Sequence, residues 1–177
     1  MIHVTDIINF FLPYKYSSEE AIVRGTLVHQ VMEDWLRDKI ETELAEPLKG
    51  YLENLKKFIK TTGFNLIAIE KPLEYKKMQL VGTPDLIGEF SNLSEDNVCI
   101  VDIKTGGKSI NNYFQLGAYY FLAKKVLATN YNNFSCYILY LQPNKWKLTQ
   151  ITLSELIKYE EGFIYMWKLY RLIKERR

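Results

Sequence analysis

Gly82-Thr83-Pro84-Asp85-Leu86 and, after a turn-rich segment, Val98-Cys99-Ile100-Val101-Asp102-Ile103-Lys104 decide how this chain folds. Val98–Lys104 has the pattern of a strand. Its side chains alternate faces, so Val98, Ile100, Asp102 and Lys104 share one and Cys99, Val101 and Ile103 share the other. A strand apolar on both faces belongs in the middle of a sheet, and this one carries its charges at its end. Residues 91–97 are rich in turn formers. If 85–90 and 97–102 pair as an antiparallel hairpin, Phe90 stands opposite Asn97 and Asp85 opposite Asp102. Directly opposed residues have Cβ atoms about 4.5–5.5 Å apart, and two carboxylates that close require something positive between them. A divalent cation satisfies this, and hard oxygen ligands suit Mg²⁺ or Mn²⁺. A metal-free Asp85–Lys104 or Asp102–Lys104 ion pair is the other reading, but two acids with one lysine leave an excess negative charge. Pro84 cannot donate to a ladder and can introduce a bulge that shifts this register by one.

Around this hairpin the sequence predicts alternating elements. Ser17 or Ser18 is an N-cap candidate, with Glu19 and Glu20 in the first turn of a helix reaching about Lys39. Ile22, Leu27, Val28, Val31, Met32, Trp35 and Leu36 recur along it at helical spacing. A second helix fits residues 46–61, with Gly63 just past its end. Residues 64–75 and 77–90 read as strands, and 111–127 as a helix. Phe134–Leu141 and Lys145–Ile151 flank Gln142-Pro143-Asn144, a hairpin signal. Thr152 or Ser154 then opens a last amphipathic helix. Residues 1–16 are apolar and aromatic, a segment that packs on the body or docks a partner. The expectation is one α/β domain over residues 1–177, a mixed central β-sheet flanked by helices.

Composition narrows the function classes. The chain has 177 residues, 47% of them hydrophobic and 25% charged, the balance of a soluble globular protein. Net charge is +2, too small to imply nucleic-acid binding. Three local basic clusters add modest support for a polyanionic partner: Lys56, Lys57 and Lys60; Lys71, Lys76 and Lys77; and Lys168, Arg171, Lys174, Arg176 and Arg177. Thirteen tyrosines, nine phenylalanines and three tryptophans serve a core first and can also stack on bases. The two cysteines, Cys99 and Cys136, sit in apolar runs and read as buried thiols. They cannot supply a four-cysteine iron–sulfur cluster. No signal-peptide pattern opens the chain and no apolar run approaches the ~18 residues of a membrane span, so the expected compartment is the cytoplasm.

Further candidates for the site are scattered. His29 lies four residues after Gly25, on the same face of its helix. A helical glycine costs roughly 1 kcal/mol relative to alanine, which raises the expectation that something approaches the backbone there. Neutral imidazole can complete a metal shell, although a helical histidine is commonly a packed or surface residue. Gln115 and Tyr119 form an i, i+4 pair on the helix after Lys104 and can donate to phosphate oxygens. Glu70 follows the apolar run Leu66–Ile69 and is either a further metal or water contact or a strand-end charge.

Together, Gly25…His29, Glu70, Gly82-Thr83-Pro84-Asp85-Leu86, Val101-Asp102-Ile103-Lys104-Thr105-Gly106 and Gln115-Leu116-Gly117-Ala118-Tyr119 resemble the PD-(D/E)XK nuclease superfamily, in particular its RecB-like branch. That branch includes CRISPR-adaptation nucleases. The resemblance implies a restriction-endonuclease-like core and hydrolysis of DNA phosphodiesters, more as an exonuclease than as a structure-specific endonuclease. It implies that His29, Asp85 and Asp102 ligate the metal with the Ile103 carbonyl. Lys104 would position or deprotonate the attacking water, and Gln115 and Tyr119 would contact substrate or brace Lys104. Glu70 is the loosest transfer. Members of the branch often carry a four-cysteine iron–sulfur cluster, which these two cysteines do not match. The chain therefore resembles a compact member without the cluster, of the kind some viruses and mobile elements encode, in which case the compartment would be the host cytoplasm. A homo-oligomer, a recombination partner protein or a CRISPR-adaptation assembly would be its company. A binding module with a degenerate site would lack some of these residues.

Overall fold

Asn97–Lys104 becomes the central strand of a five-stranded mixed sheet in the computed structural model, which describes residues 1–13, 18–40, 44–91, 97–131 and 133–175. In chain order the elements are β1 (Ile2–His3), α1 (Val4–Phe11), α2 (Glu19–Asp38), α3 (Leu48–Thr62), β2 (Phe64–Ile69), β3 (Leu73–Tyr75), β4 (Leu80–Gly82), β5 (Leu86–Phe90), β6 (Asn97–Lys104), α4 (Ile110–Val126), β7 (Asn133–Leu141), β8 (Trp146–Ile151) and α5 (Leu153–Lys174). The large sheet runs β2-β5-β6-β7-β8, with only the β6–β7 pair parallel. A second sheet of three short strands runs β1-β4-β3.

The hairpin register expected from counting is the one present. Leu86 pairs with Val101, Ile87 with Ile100 and Gly88 with Cys99, which continues to Asp85 opposite Asp102. Residues 92–96 of the intervening turn lie outside the described residues, as do Ser17, Arg176 and Arg177. The alternation along β6 separates two cores. Val98 and Ile100 face α1, α4 and α5, packing with Ile7, Leu116, Leu122 and Phe163. Cys99, Val101 and Ile103 face α2 and α3, packing with Val28, Met32, Leu55 and Phe58. Each fully buried side chain of this kind contributes about 1.5–3 kcal/mol. Phe58, Phe64, Phe90, Tyr137 and Trp146 form edge-on and tilted contacts in the second core, so much of the aromatic content is structural. Both cysteines are buried, and neither is in a disulfide.

Two expected strands are broken. Residues 64–75 divide into β2 and β3, because Glu70 turns into the left-handed region with φ 45° and Pro72 follows. Residues 77–90 divide into a 3₁₀ turn, β4 and β5, with Gln79 at φ 51° and Pro84 without a donor. These breaks carry β3 and β4 off the large sheet and into the small one. The capping signals hold: the Ser18 side chain accepts from the Ala21 N–H, and Thr152 and Glu155 form a reciprocal capping box. The N-terminal segment is anchored rather than loose. β1 pairs in parallel with β4, α1 buries Val4, Ile7 and Ile8, and the Leu12 carbonyl accepts from Asn111 Nδ2 at 2.8 Å.

Candidate active site

Three breaks in regular structure meet at one end of the large sheet: the end of β2 at Glu70, the start of β5 at Asp85 and the end of β6 at Lys104. The Glu70 N–H donates to the Asp85 carbonyl at 3.0 Å, which fixes the two acids side by side. A left-handed backbone costs a non-glycine residue roughly 1–2 kcal/mol and persists where the surroundings enforce it. The Asp85 carboxylate accepts from the Ile103 N–H at 2.5 Å, so it lies across the ladder against β6. Helix α2 brings the third group. Val28 and Met32 bury against the sheet, and the next position round the helix, His29, reaches over the sheet end. Its Nδ1 stands 3.4 Å from Asp85 Oδ1 and 3.8 Å from Glu70 Oε1.

On the adjoining side, the β6 alternation holds as expected. Asp102 is 1% exposed, with its Oδ2 2.7 Å from Lys104 Nζ. Lys104 Nζ also donates to Gln115 Oε1 at 2.9 Å, and Gln115 Nε2 donates to the Tyr119 hydroxyl at 2.8 Å. The i, i+4 pair on α4 thus braces the lysine in series. Gly82 makes room for this chain of contacts, since a Cβ there would lie 2.8 Å from the Tyr119 ring. Gly117 has a different task. A Cβ at that position would stand 2.6 Å from the α5 backbone at Tyr159 and Glu160, so it sets the α4–α5 approach. At Gly25 no protein group makes the close approach: among the described residues a Cβ there would find Thr105 Oγ1 alone, at an ordinary 3.6 Å.

Charge states follow from this packing. Burial pushes the Asp102 carboxyl up to about 6, against the pull of Lys104. Burial acts on Asp85 too, but His29, Lys104 and the Ile103 N–H outweigh it and hold that carboxyl below its ordinary range. Burial alone would lower His29; the Asp85 and Glu70 carboxylates beside it win and hold the imidazolium up to about 10. Burial, with the nearby charges of Asp102 and Asp85, keeps the Tyr119 phenol protonated well above its usual value.

A divalent cation fits this donor set. One ligand atom each from His29, Glu70 and Asp85 lies within 4.8 Å of the others. Asp102 Oδ1, fully buried, has no hydrogen-bond partner among the described residues, as expected of an oxygen reserved for a cation. Asp102 lies outside the three-residue group and is engaged by Lys104, whereas Glu70 is inside it. The donors open into a cleft of about 270 Å³, lined also by His3, Val4, Thr5, Val81, Gly82, Thr83, Gln115 and Tyr119. His3 and Thr5 were not singled out from sequence, and Thr83 figured there only inside the Gly82–Leu86 motif. Of His3 and Thr5, His3 carried a signal, as one of just two histidines in the chain.

The sequence profile of the PD-(D/E)XK nuclease superfamily matches residues 34–166, which takes in Glu70, Asp85, Asp102, Lys104, Gln115 and Tyr119. His29 precedes the match, and its distances to Asp85 and Glu70 are what tie it to the site in the structure. No curated protein matches in sequence. Among solved structures, a protein from Eubacterium rectale described as a candidate exonuclease is similar in fold, with a TM-score of 0.56 at 10% identity over 97% of this chain and 79% of that one. An alkaline exonuclease from Laribacter hongkongensis, also solved in complex with dAMP, covers 99% of this chain and 91% of its own at 10% identity, with a TM-score of 0.43. Among the described residues, no helix is long and apolar enough to cross a membrane.

Proposed function

We propose, starting from the fact that this chain belongs to the PD-(D/E)XK nuclease superfamily, that it is a Mg²⁺- or Mn²⁺-dependent deoxyribonuclease that digests DNA from its ends. The observation that carries this reading is the meeting of His29, Glu70 and Asp85 at one point, beside a buried Asp102–Lys104 pair. A divalent cation bound there lowers the pKa of its water and neutralises charge on a phosphate. His29, Glu70, Asp85 and Asp102 Oδ1 would hold it, and the resemblance adds the Ile103 carbonyl.

The side chains divide the remaining work. Asp102 Oδ2 and Gln115 Oε1 fix Lys104 Nζ from two sides, so its charge is positioned before substrate arrives. It then orients the attacking water or meets charge developing on the phosphate, the kind of preorganised donor whose removal costs about 10²–10³ in rate. Tyr119 accepts from Gln115 and keeps its proton. Its hydroxyl can therefore donate into the cleft, toward a phosphate oxygen. The preference for DNA ends rests on the RecB-like resemblance, and the exonuclease description of the Eubacterium rectale protein supports it.

The test is a time course on DNA labelled at its 5′ or 3′ end, single- and double-stranded, beside a covalently closed circle, with Mn²⁺. An exonuclease shortens every susceptible linear strand and leaves the circle closed. Cutting of the circle would replace this reading with an endonuclease. Cleavage that survives a chelator would contradict the metal.

A further inference from the structure

Both histidines of the chain line the same cleft. One of them, His29, belongs to the candidate metal cluster; the other has no place in that chemistry. His3 lies where β1 ends and α1 begins, in N-cap position, yet its side chain makes no cap hydrogen bond. The imidazole is exposed. The segment that carries it is nevertheless held: Ile2 and His3 pair with Leu80 and Val81 of β4, the Ile2 N–H donates to the Gln79 carbonyl at 2.7 Å, and Val4, Ile7 and Ile8 are buried. Two residues on, Thr5 also lines the cleft while standing exposed in the first turn of α1. Asp6, the carboxylate of that turn, is not among the cleft's lining residues. A firmly anchored backbone thus presents an imidazole and a hydroxyl to the cleft, neither used to hold the fold.

Resting on the nuclease reading, we propose that His3 and Thr5 bind the DNA phosphate adjacent to the one being cleaved. The imidazole N–H and the threonine hydroxyl are donors of the kind that grip a phosphate oxygen. The uncapped first turn of α1 adds backbone N–H groups and the positive end of its dipole in the same place. Because these groups act on a non-reacting phosphate, their contribution is to substrate binding rather than to the chemical step.

The experiment is steady-state cleavage of an end-labelled oligonucleotide with Mn²⁺ by wild type, His3→Ala, His3→Gln and Thr5→Val, with a melting curve for each. Loss of a hydrogen bond to a charged group corresponds to about a tenfold to hundredfold change. His3→Ala should raise KM by that factor, leave kcat within about twofold and require no more Mn²⁺ for half-maximal activity. His3→Gln, which keeps an N–H donor, should recover most of the loss. Thr5→Val should raise KM to a lesser degree, and all three should melt with the wild type. An unchanged KM in His3→Ala, or a loss confined to kcat or to Mn²⁺ affinity, would overturn the assignment. Wild-type protein inert on DNA would instead sink the nuclease reading itself.

Discussion

The wall of the site built by β6 and α4 and the wall built by α2 and the end of β2 both carry charge, but they hold it differently. On the first wall Asp102 is 1% exposed and Tyr119 2% exposed. Their groups sit at hydrogen-bonding distance in an unbroken series, 2.7 Å from Asp102 to Lys104, 2.9 Å to Gln115 and 2.8 Å to Tyr119. On the second wall the His29 and Glu70 side chains are 31% and 29% exposed, with separations of 3.8 Å between them and 3.4 Å from His29 to Asp85. Those gaps are longer than the ~2.7–3.2 Å usual for an N–H···O hydrogen bond. One wall is tied together by its own partners, with Asp102 Oδ1 left without one among the described residues; the other is spaced for something positive. In the metal-free protein the imidazolium itself supplies that charge, which is why His29 holds its proton to about 10.

The sharpest way to break this comparison is Asp102→Ala. It removes the buried partner of Lys104, and breaking a buried pair costs on the order of 3 kcal/mol. Stability by chemical denaturation should therefore fall together with cleavage and Mn²⁺ affinity. Equal stability with lost activity would mean that the Asp102–Lys104 pair does not hold the first wall together.

The second wall should respond through metal and proton instead. His29 has a folded pKa above its unfolded value, so its contribution to stability is complete below about 6.5 and lost as pH rises through about 10. In chelator, the melting temperature should decline across that window, and His29→Gln should remove this part of the decline. Because a cation must displace the same proton, Mn²⁺ affinity should rise with pH over the same window. His29→Gln should weaken that affinity by at least about tenfold, the low end of what even outer-shell changes cost. A flat metal-free melting profile in the wild type would contradict the imidazolium's role.

Two glycines give the smallest effects and separate packing from site. Gly117→Ala drives a Cβ into the α5 backbone and should destabilise by about 1–3 kcal/mol. Gly25→Ala meets only an ordinary contact and should stabilise α2 by about 0.5–1 kcal/mol. A Gly25→Ala protein that is stable but poor at binding DNA would show that substrate, rather than protein, approaches there.

What could be read from sequence divides along the same line. The first wall was legible because strand alternation and hairpin pairing are periodic: Asp102 and Lys104 share a face by parity, and Asp85 falls opposite Asp102 by counting, as the Leu86–Val101 pairing bears out. The central place of β6 followed from its two apolar faces. The second wall depends on irregular backbone. Nothing periodic announces that Glu70 turns left-handed to lie beside Asp85, or that the strands on either side of it separate into different sheets. His29 could be named only through resemblance, since its approach to Asp85 is made by tertiary packing of α2. His3 was missed for the same reason: two residues of parallel pairing with β4 leave no pattern in the sequence.

The central claim is that Lys104, fixed by Asp102 and Gln115, acts on a phosphodiester at a metal held by its neighbours. Single-turnover cleavage of labelled DNA by Lys104→Ala and wild type, both saturated with Mn²⁺, tests it most directly. The account predicts a rate lower by about 10²–10⁴ in a folded protein that still binds the metal. Cleavage by Lys104→Ala at the wild-type rate would contradict it.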